Sequence, residues 1–305
     1  VQPQPFTPVG DGAGSIFKIF TTAAALDMGM GINAQLDVPQ KFEGAGLGDS
    51  NTPGCPPRTW CVRNAGGGYR VTGKWGYGTG SLHATSSLLG IPIKNAQGEV
   101  VDAGLALIPT AELSVVDNWF VAGMKSTGSV MQVAEDVFVP EHRVLPLTAA
   151  VEGGYLGEQA AQSYQTIFVP SLFMKLVGPH LGMGRAALDY VIEKAESKAI
   201  AYTGYEKQAD SAVFQVAVAK ASIVLDAAEL VAAALADEIY DAAERGYYAP
   251  YAERIEMRAK AGWVVESITT MIDDLMTAHG SAGFAETAVP QRIWRDQATA
   301  SRHGH

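Results

Sequence analysis

The sequence predicts an α+β fold: a helical remnant, a central and mostly antiparallel β domain, and a C-terminal four-helix bundle. Three observations predict it. Short β-branched runs punctuated by Gly, Pro and Asn fill residues 38–150, apolar residues at helical spacing dominate beyond Ser163, and a helix-like apolar run at 15–26 precedes both. The expected units are therefore 1–37, the end of an N-terminal helical domain; 38–150, the β domain; and 151–305, the bundle.

The first unit rests on the run at 15–26, which closes in the glycine-containing segment Met28-Gly-Met-Gly31. In the second, the stretches 69–72, 105–108 and 133–139 read as strands. Asn95-Ala-Gln-Gly98 reads as a hairpin turn between strands at 87–93 and 100–108. A further strand is expected at 115–121, ahead of one at 130–139.

In the bundle, Phe214, Val218, Ala221, Leu225, Ala228, Ala232, Leu235 and Ile239 step by alternating fours and threes, the seam of an antiparallel bundle. Ala261, Val264, Ile268, Met271, Leu275 and Ala278 repeat the pattern, and 171–199 supplies another amphipathic length. Small alanines let helices approach closely, so a subunit interface, and with it a homo-oligomer (dimer or tetramer), is expected.

Composition narrows the function. The chain has 305 residues, 48% of them hydrophobic, and a formal net charge of -10 from 32 acids against 22 Lys and Arg. No basic run of the nucleic-acid kind occurs, so nucleic acid is not an expected partner. The apolar stretches 16–30 and 213–235 are interrupted by Lys18, Asp27, Lys220, Asp226 and Glu229, which argues against a bilayer span and a membrane role. The only two cysteines, Cys55 and Cys61, read as thiols of a cytoplasmic protein, with a structural disulfide as the other reading, and no second pair completes a zinc site.

The residues richest in chemistry are 67–81, Gly-Gly-Tyr-Arg-Val-Thr-Gly-Lys-Trp-Gly-Tyr-Gly-Thr-Gly-Ser, where a strand runs into a glycine-laced loop rich in hydroxyls. Glycine lets backbone N–H groups approach a ligand, and Thr79 and Ser81 add short donors and acceptors beside them. Trp75, Tyr77, Gly80 and His83 extend a set suited to a planar heterocycle; the other reading is an ordinary strand-turn-strand corner. The Walker lysine pattern is absent, which argues against a phosphate cradle. A second turn of this kind, Gly123-Met-Lys-Ser-Thr-Gly-Ser129, brings Lys125, Thr127, Gly128 and Ser129, and two such turns in one β domain favour a ligand.

Near the C-terminus, Trp294-Arg-Asp-Gln-Ala-Thr-Ala-Ser-Arg-His303 reads as a helix with His303 about two turns after Arg295, roughly on its face. A histidine so placed is either exposed and idle or a proton-handling group. His142, in Pro-Glu-His-Arg, and His180, beside Pro179 near the start of a helix, read as surface or capping residues. Glu286 reads as an exposed loop carboxylate or a general base.

These motifs, in this order, resemble the acyl-CoA dehydrogenase fold, and more closely its group D branch of two-component flavin-dependent monooxygenases. Three segments carry the resemblance: the 67–81 motif, Trp119-Phe-Val-Ala-Gly-Met-Lys-Ser-Thr-Gly-Ser129 with Glu135-Asp-Val-Phe-Val-Pro-Glu-His-Arg143, and Arg295-Asp296 through Ser301-Arg-His303. The resemblance implies a reduced flavin (FADH2 or FMNH2) supplied by a separate reductase, O2 as co-substrate, and a C4a-hydroperoxyflavin that oxygenates a small aromatic, heterocyclic or amine substrate. It implies that Thr79 lies near the flavin N5 and C4a edge, lined by Trp75, Tyr77 and Gly80 to His83, and that Lys125 and Thr127 to Ser129 contact the ring or its phosphate tail.

His303 is implied as the active-site histidine, with Phe284, Glu286 and Trp119 toward the substrate. Phe284 stands where aromatic hydroxylases of the branch often carry a histidine, which makes a hydrophobic, heterocyclic or nitrogen-centred substrate as plausible as a phenol. The alternative is an acyl-CoA dehydrogenase, because Gly283-Phe-Ala-Glu-Thr-Ala resembles the segment that carries the catalytic glutamate there. Gapless counting from Arg295-Asp296 puts Thr287 at that position and Glu286 one residue early.

Overall fold

The computed structural model describes residues 42–45, 59–64, 67–94, 100–156 and 164–303. The expected helix at 15–26, the unit 1–37, Cys55 and the turn at Asn95 to Gly98 lie outside the described residues.

Among the described residues eight strands build two antiparallel sheets. β1 (Phe42–Ala45), β2 (Thr59–Asn64), β3 (Gly68–Trp75), β6 (Ser114–Val116) and β7 (Met131–Pro140) form the first, in the order β1-β2-β3-β7-β6. β4 (Ser86–Lys94), β5 (Val100–Pro109) and β8 (Val144–Pro146) form the second, in that order. The hairpin partners β4 and β5 pair as the sequence reading expects, Ser87 opposite Ile108 and Ile91 opposite Gly104. Inward residues of both sheets, among them Tyr69, Val71, Leu89, Ile91, Ala106, Ile108 and Val139, share one core. Burying each large side chain there stabilises by roughly 1.5–3 kcal/mol.

Trp75 belongs to that core, 6% exposed, and its indole N–H donates to Gly90 O across the sheets at 2.9 Å. The ladder between β3 and β7 is interrupted between Val71 and Gly73. There Asp136 adopts φ 52° and its N–H is taken by Thr72 Oγ1 at 2.9 Å, which satisfies a donor that the irregular register leaves outside the ladder.

The strand expected at 115–121 is shorter. Pairing stops at Val116, and Asn118 Oδ1 accepts the N–H of Met131 at 3.0 Å, so a side-chain acceptor closes the turn where a ladder bond would otherwise continue.

The helical part comprises the short α1 (Leu147–Val151), then α2 (Phe168–Ala195), α3 (Ala212–Glu244), α4 (Tyr251–His279) and α5 (Val289–Ala300). The predicted seam of α3 is buried at Phe214, Ala221, Leu225, Ala228, Ala232, Leu235 and Ile239. Helix α4 buries more than one seam: Met257, Val265, Ile272 and Met276 join the predicted Ala261, Val264, Ile268, Met271 and Leu275. The wider face follows from its neighbours, since α4 meets α3, α5 and α2. At Gly184 of α2 a Cβ would come within 3.1 Å of Ile268 Cδ1 and Met271 Cε, so a larger residue would push the two helices apart.

The end of α4 is capped by side chains from the connection between α2 and α3. Gln208 Nε2 donates to Ala278 O at 2.5 Å and Lys198 Nζ donates to His279 O. Both satisfy carbonyls that a helix C-terminus leaves unpaired, and the lysine charge also suits the negative end of the helix dipole.

Two compact units result. The first holds the sheets and ends at Phe168; the second holds Val169–His303 together with Val121–Met124, a segment that the β-domain chain contributes before returning at Lys125. Among the described residues no helix is long and apolar enough to cross a membrane.

Candidate active site

In the first unit, antiparallel pairing of β3 with β7 sets Trp75 opposite Gln132, so the loop leaving β3 and the turn entering β7 meet at one end of the sheet. Backbone bonds join them: Gly78 N–H donates to Val130 O at 3.0 Å and Gly80 N–H to Thr127 O at 3.2 Å. The loop itself is held tightly, with Thr79 N–H on Tyr77 O at 2.8 Å and Ser81 N–H on Gly78 O at 2.9 Å. Tyr77 takes φ 58° and Gly80 φ 75°, left-handed conformations that favour glycine and that a tyrosine adopts only when its surroundings impose them. The Tyr77 ring meets Trp119 edge to face, centroids 5.9 Å apart.

The two hydroxyl turns foreseen in the sequence thus become one cluster. Ser129 Oγ, buried, lies 2.8 Å from Thr79 Oγ1 and 2.8 Å from Thr127 Oγ1. Three hydroxyls carry three protons, and two contacts use two of them. When Thr127 donates to Ser129 and Ser129 to Thr79, the proton of Thr79 points out of the cluster toward a ligand. Ser81 Oγ and Gln132 Oε1 are buried without a hydrogen-bond partner among the described residues, and an ideal Cβ on Gly78 would lie within 3.2 Å of both. Such orphaned polar atoms beside glycine suit a polar heterocycle or a water that serves it. Gly128 N–H closes the 3-10 turn Lys125–Thr127 by donating to Lys125 O at 3.3 Å. Lys125, His83 and Tyr77 are exposed at the rim, and Thr79, Thr127 and Gly80 are half-buried.

Of the residues singled out in the sequence, Trp75 has the most structural duty: its one donor serves Gly90, so its ring packs the core and has no N–H to offer a ligand.

The motif Gly123 to Ser129 is divided between the units. An ideal Cβ on Gly123 would lie 2.0 Å from Arg295 O, and Met124 N–H donates to Asp296 Oδ1 at 2.5 Å, so this end is pinned to α5. Lys125 to Ser129 belong to the sheets.

In the second unit, α5 ends before His303. Arg302 N–H reaches Thr299 O at 3.2 Å and His303 N–H reaches Ala300 O at 3.0 Å, so the chain tightens into i to i+3 bonds. His303 therefore lies just beyond the helix and is half-buried. Burial pushes its pKa below the ordinary histidine value, its own backbone bond opposing the fall, and its Nδ1 has no hydrogen-bond partner among the described residues.

His180 departs from its expected surface or capping place. Helix α2 runs through Pro179, and His180 is 3% exposed, with Nδ1 2.8 Å from Gln297 Oε1 on α5. The sequence did hold a signal: Phe173, Val177, His180, Gly184, Ala187 and Val191 step by fours and threes, the stripe of a buried helix face. Burial lowers the His180 pKa, the Gln297 bond raises it in part, and nearby His303 lowers it. Gln297, 1% exposed, completes its own bonding by donating from Nε2 to Thr269 Oγ1 at 2.9 Å. No feature of residues 294–303 read alone marked Gln297.

Phe284 is half-exposed and meets Trp294 edge to face, centroids 5.6 Å apart. Glu286 is exposed on the turn before α5, and its backbone carbonyl accepts from Gln291 Nε2 at 2.8 Å. Among the described residues no group of three His, Cys, Asp or Glu side chains is gathered for a metal.

Residues 175–305 match the family described as acyl-CoA dehydrogenase, C-terminal domain. The oxygenase subunit HsaA of the flavin-dependent monooxygenase from Rhodococcus jostii (strain RHA1) is 32% identical over 233 residues, 75% of this chain and 60% of that protein. The oxygenase component of the FADH(2)-dependent resorcinol hydroxylase from Rhizobium sp. (strain MTP-10005) is 31% identical over 252 residues, 78% of this chain and 61% of that protein. Among solved structures, XiaF from Streptomyces sp. in complex with FADH2 and glycerol superposes with a TM-score of 0.72 at 37% identity, covering 79% of this chain and 61% of that one. The chain spans about three-fifths of the length of these relatives. The mixed architecture of antiparallel sheets followed by long helices is the acyl-CoA dehydrogenase-like fold that these neighbours share.

Proposed function

We propose, from the premise that this chain belongs to the acyl-CoA dehydrogenase fold superfamily and within it to the two-component flavin-dependent monooxygenases, that it is an oxygenase component using reduced flavin and O2 on a small aromatic, heterocyclic or amine substrate. The observation that carries this reading is the bridging of Thr79 and Thr127 by the buried Ser129 hydroxyl. Such a cluster offers short, fixed donors to the heteroatom edge of a flat ring, and the Gly78 to Ser81 loop keeps side chains out of its way.

The reduced flavin, FADH2 or FMNH2 delivered by a separate reductase, supplies the electrons that activate O2 when bound. Everything else falls to the chain. Thr79 would offer its hydroxyl to the heteroatom edge of the flavin, Ser81 and Thr127 would help to hold its polar groups, and the exposed Lys125 would attract a phosphate-bearing tail. Tyr77 and Trp119, locked edge to face, would help to exclude water from a flavin held at this loop. His303, kept neutral by burial, accepts a proton from the substrate heteroatom, and Phe284 with Trp294 gives that substrate an aromatic wall.

Helix α3 supports self-association. Val216, Ile223 and Leu230 are 54%, 67% and 71% exposed on the side opposite its buried seam, an apolar stripe that a second copy of this chain would cover.

An anaerobic titration tests the reading. The full chain should quench or polarise the fluorescence of chemically reduced flavin at micromolar protein, and Thr79→Ala should weaken that binding. Binding of oxidised FAD that an acyl-CoA thioester then reduces would instead favour dehydrogenation.

A further inference from the structure

Gly78 is a glycine that its own backbone does not demand, because its φ lies outside the left-handed region. Its neighbours explain it better. An ideal Cβ there would stand 2.7 Å from Val130 O, 3.1 Å from Ser81 Oγ and 3.2 Å from Gln132 Oε1, so oxygens converge on the spot that a side chain would fill. Ser81 is 7% exposed and Gln132 1%, and these two side-chain oxygens have no hydrogen-bond partner among the described residues. Val130 O takes the N–H of Gly78 at 3.0 Å and keeps a second lone pair.

The amide of Gln132 is held from its other end. Its Nε2 donates to Ser87 Oγ on β4 at 2.6 Å, which turns Oε1 toward the loop. Ser81 Oγ and Gln132 Oε1 thus flank one point without bonding to each other, the arrangement that a single bridging molecule resolves. The set comprises two acceptors and one hydroxyl. A water matches it group for group: it accepts the Ser81 proton and donates to Gln132 Oε1 and Val130 O, which gives it about three hydrogen bonds, the usual complement of a buried water. A cation would leave the Ser81 proton unused and find no carboxylate among these groups.

We propose that Ser81, Gln132 and Val130 O bind one internal water, and that Gln132 is thereby a positioning residue for Thr79. Through Ser87, Gln132 and the water, the Gly78 to Ser81 loop is tied to β4 of the second sheet. Thr79 lies inside that loop, between Gly78 and Gly80, whose N–H groups bond Val130 O and Thr127 O. Those backbone bonds set the loop against the turn entering β7; the water fixes it against the core, and so holds Thr79 Oγ1 where it meets Ser129 Oγ. The consequence for flavin rests on the function proposed above, whereas the water does not.

The first arm of the test needs no flavin. A high-resolution crystal structure of the full chain should show an ordered water within hydrogen-bond distance of Ser81 Oγ and Gln132 Oε1. In urea unfolding, Ser81→Ala should lower the midpoint because it removes a bridged hydroxyl; a hydroxyl that stayed buried without a partner is better lost, and the midpoint would then hold or rise. Gln132→Met should also lower it, and the double variant should fall by less than the two single falls combined, since either change alone releases the water. Hydrogen exchange at the Gly80 and Ser81 amides should quicken by roughly fivefold to tenfold in Ser81→Ala, which serves if Gln132→Met does not fold. The second arm adds chemically reduced flavin: Gln132→Met should weaken its binding as Thr79→Ala does, and the two changes together should weaken it little further. No water at this place, a Ser81→Ala midpoint at or above the wild type, or unchanged exchange overturns the proposal. The water with full additivity of Gln132→Met and Thr79→Ala overturns the positioning role. The water and its midpoint shifts in a chain that binds no reduced flavin would sink the functional reading and leave the water site standing.

Discussion

Thr79 Oγ1 and Ser129 Oγ lie 2.8 Å apart although 50 positions separate them in the chain, and the pairing of β3 with β7 is what brings them together. Ser129 is buried between two threonines, so its loss removes both contacts at once. Ser129→Ala should cost about 1–3 kcal/mol in urea unfolding, the range for leaving partners of a buried hydrogen bond unsatisfied. Thr79→Ser should keep the product formed per reduced flavin consumed, and Thr79→Ala should lower it while raising released H2O2. Equal coupling in the two Thr79 variants would remove this hydroxyl from the chemistry.

Gly123 and Gly182 make opposite predictions. A Cβ at Gly123 would collide with Arg295 O, a backbone atom that cannot step aside, so Gly123→Ala should destabilise by roughly 1–3 kcal/mol. Gly182 lies within α2 with open space where its Cβ would be, so Gly182→Ala should stabilise by about 0.5–1 kcal/mol. Calorimetric midpoints moving in the same direction would contradict the packing assigned to the 121–124 segment.

Acid should weaken the fold through its buried imidazoles. Burial is the chief cause that holds His180, His279 and His303 below the ordinary value of 6.5, with the Lys198 charge adding to the effect at His279. Between 6.5 and those lowered values the unfolded chain binds more protons than the folded one. Stability is therefore complete above about pH 6.5 and falls as pH drops through the folded-state values. Urea midpoints at pH 7.5 and 5.5 check the sign, with the lower midpoint expected at 5.5, and His180→Gln should reduce the difference. A midpoint unchanged or higher at pH 5.5 would refute it.

The stripe on α3 should respond to charge. Ile223→Glu combined with Leu230→Glu is expected to lower the mass seen by analytical ultracentrifugation while leaving the helical circular dichroism signal in place. A mass unaffected by both changes would assign the oligomer interface elsewhere.

Much of this was readable before any coordinates, and the reasons differ by residue. The run 67–81 announces strand then loop because β-branched alternation gives way to glycine and hydroxyls, and the α3 seam announces itself through strict fours and threes. What stayed hidden were relations between distant segments. Nothing near Ser129 says that its hydroxyl bridges Thr79 and Thr127, and Trp75 reads as a possible ligand wall until Gly90 O takes its N–H. Pro179 misdirected the reading of His180 because proline usually starts a helix, whereas α2 continues through it and buries the ring.

The most direct measurement is oxygen transfer under ¹⁸O2. The full chain, given chemically reduced flavin and a panel of phenols, indoles and aromatic amines, should yield a product heavier by one ¹⁸O atom, with less of it from Thr79→Ala and His303→Ala than from the wild type. Reoxidation of the flavin with all oxygen recovered as H2O2 and no label in any product would contradict the account.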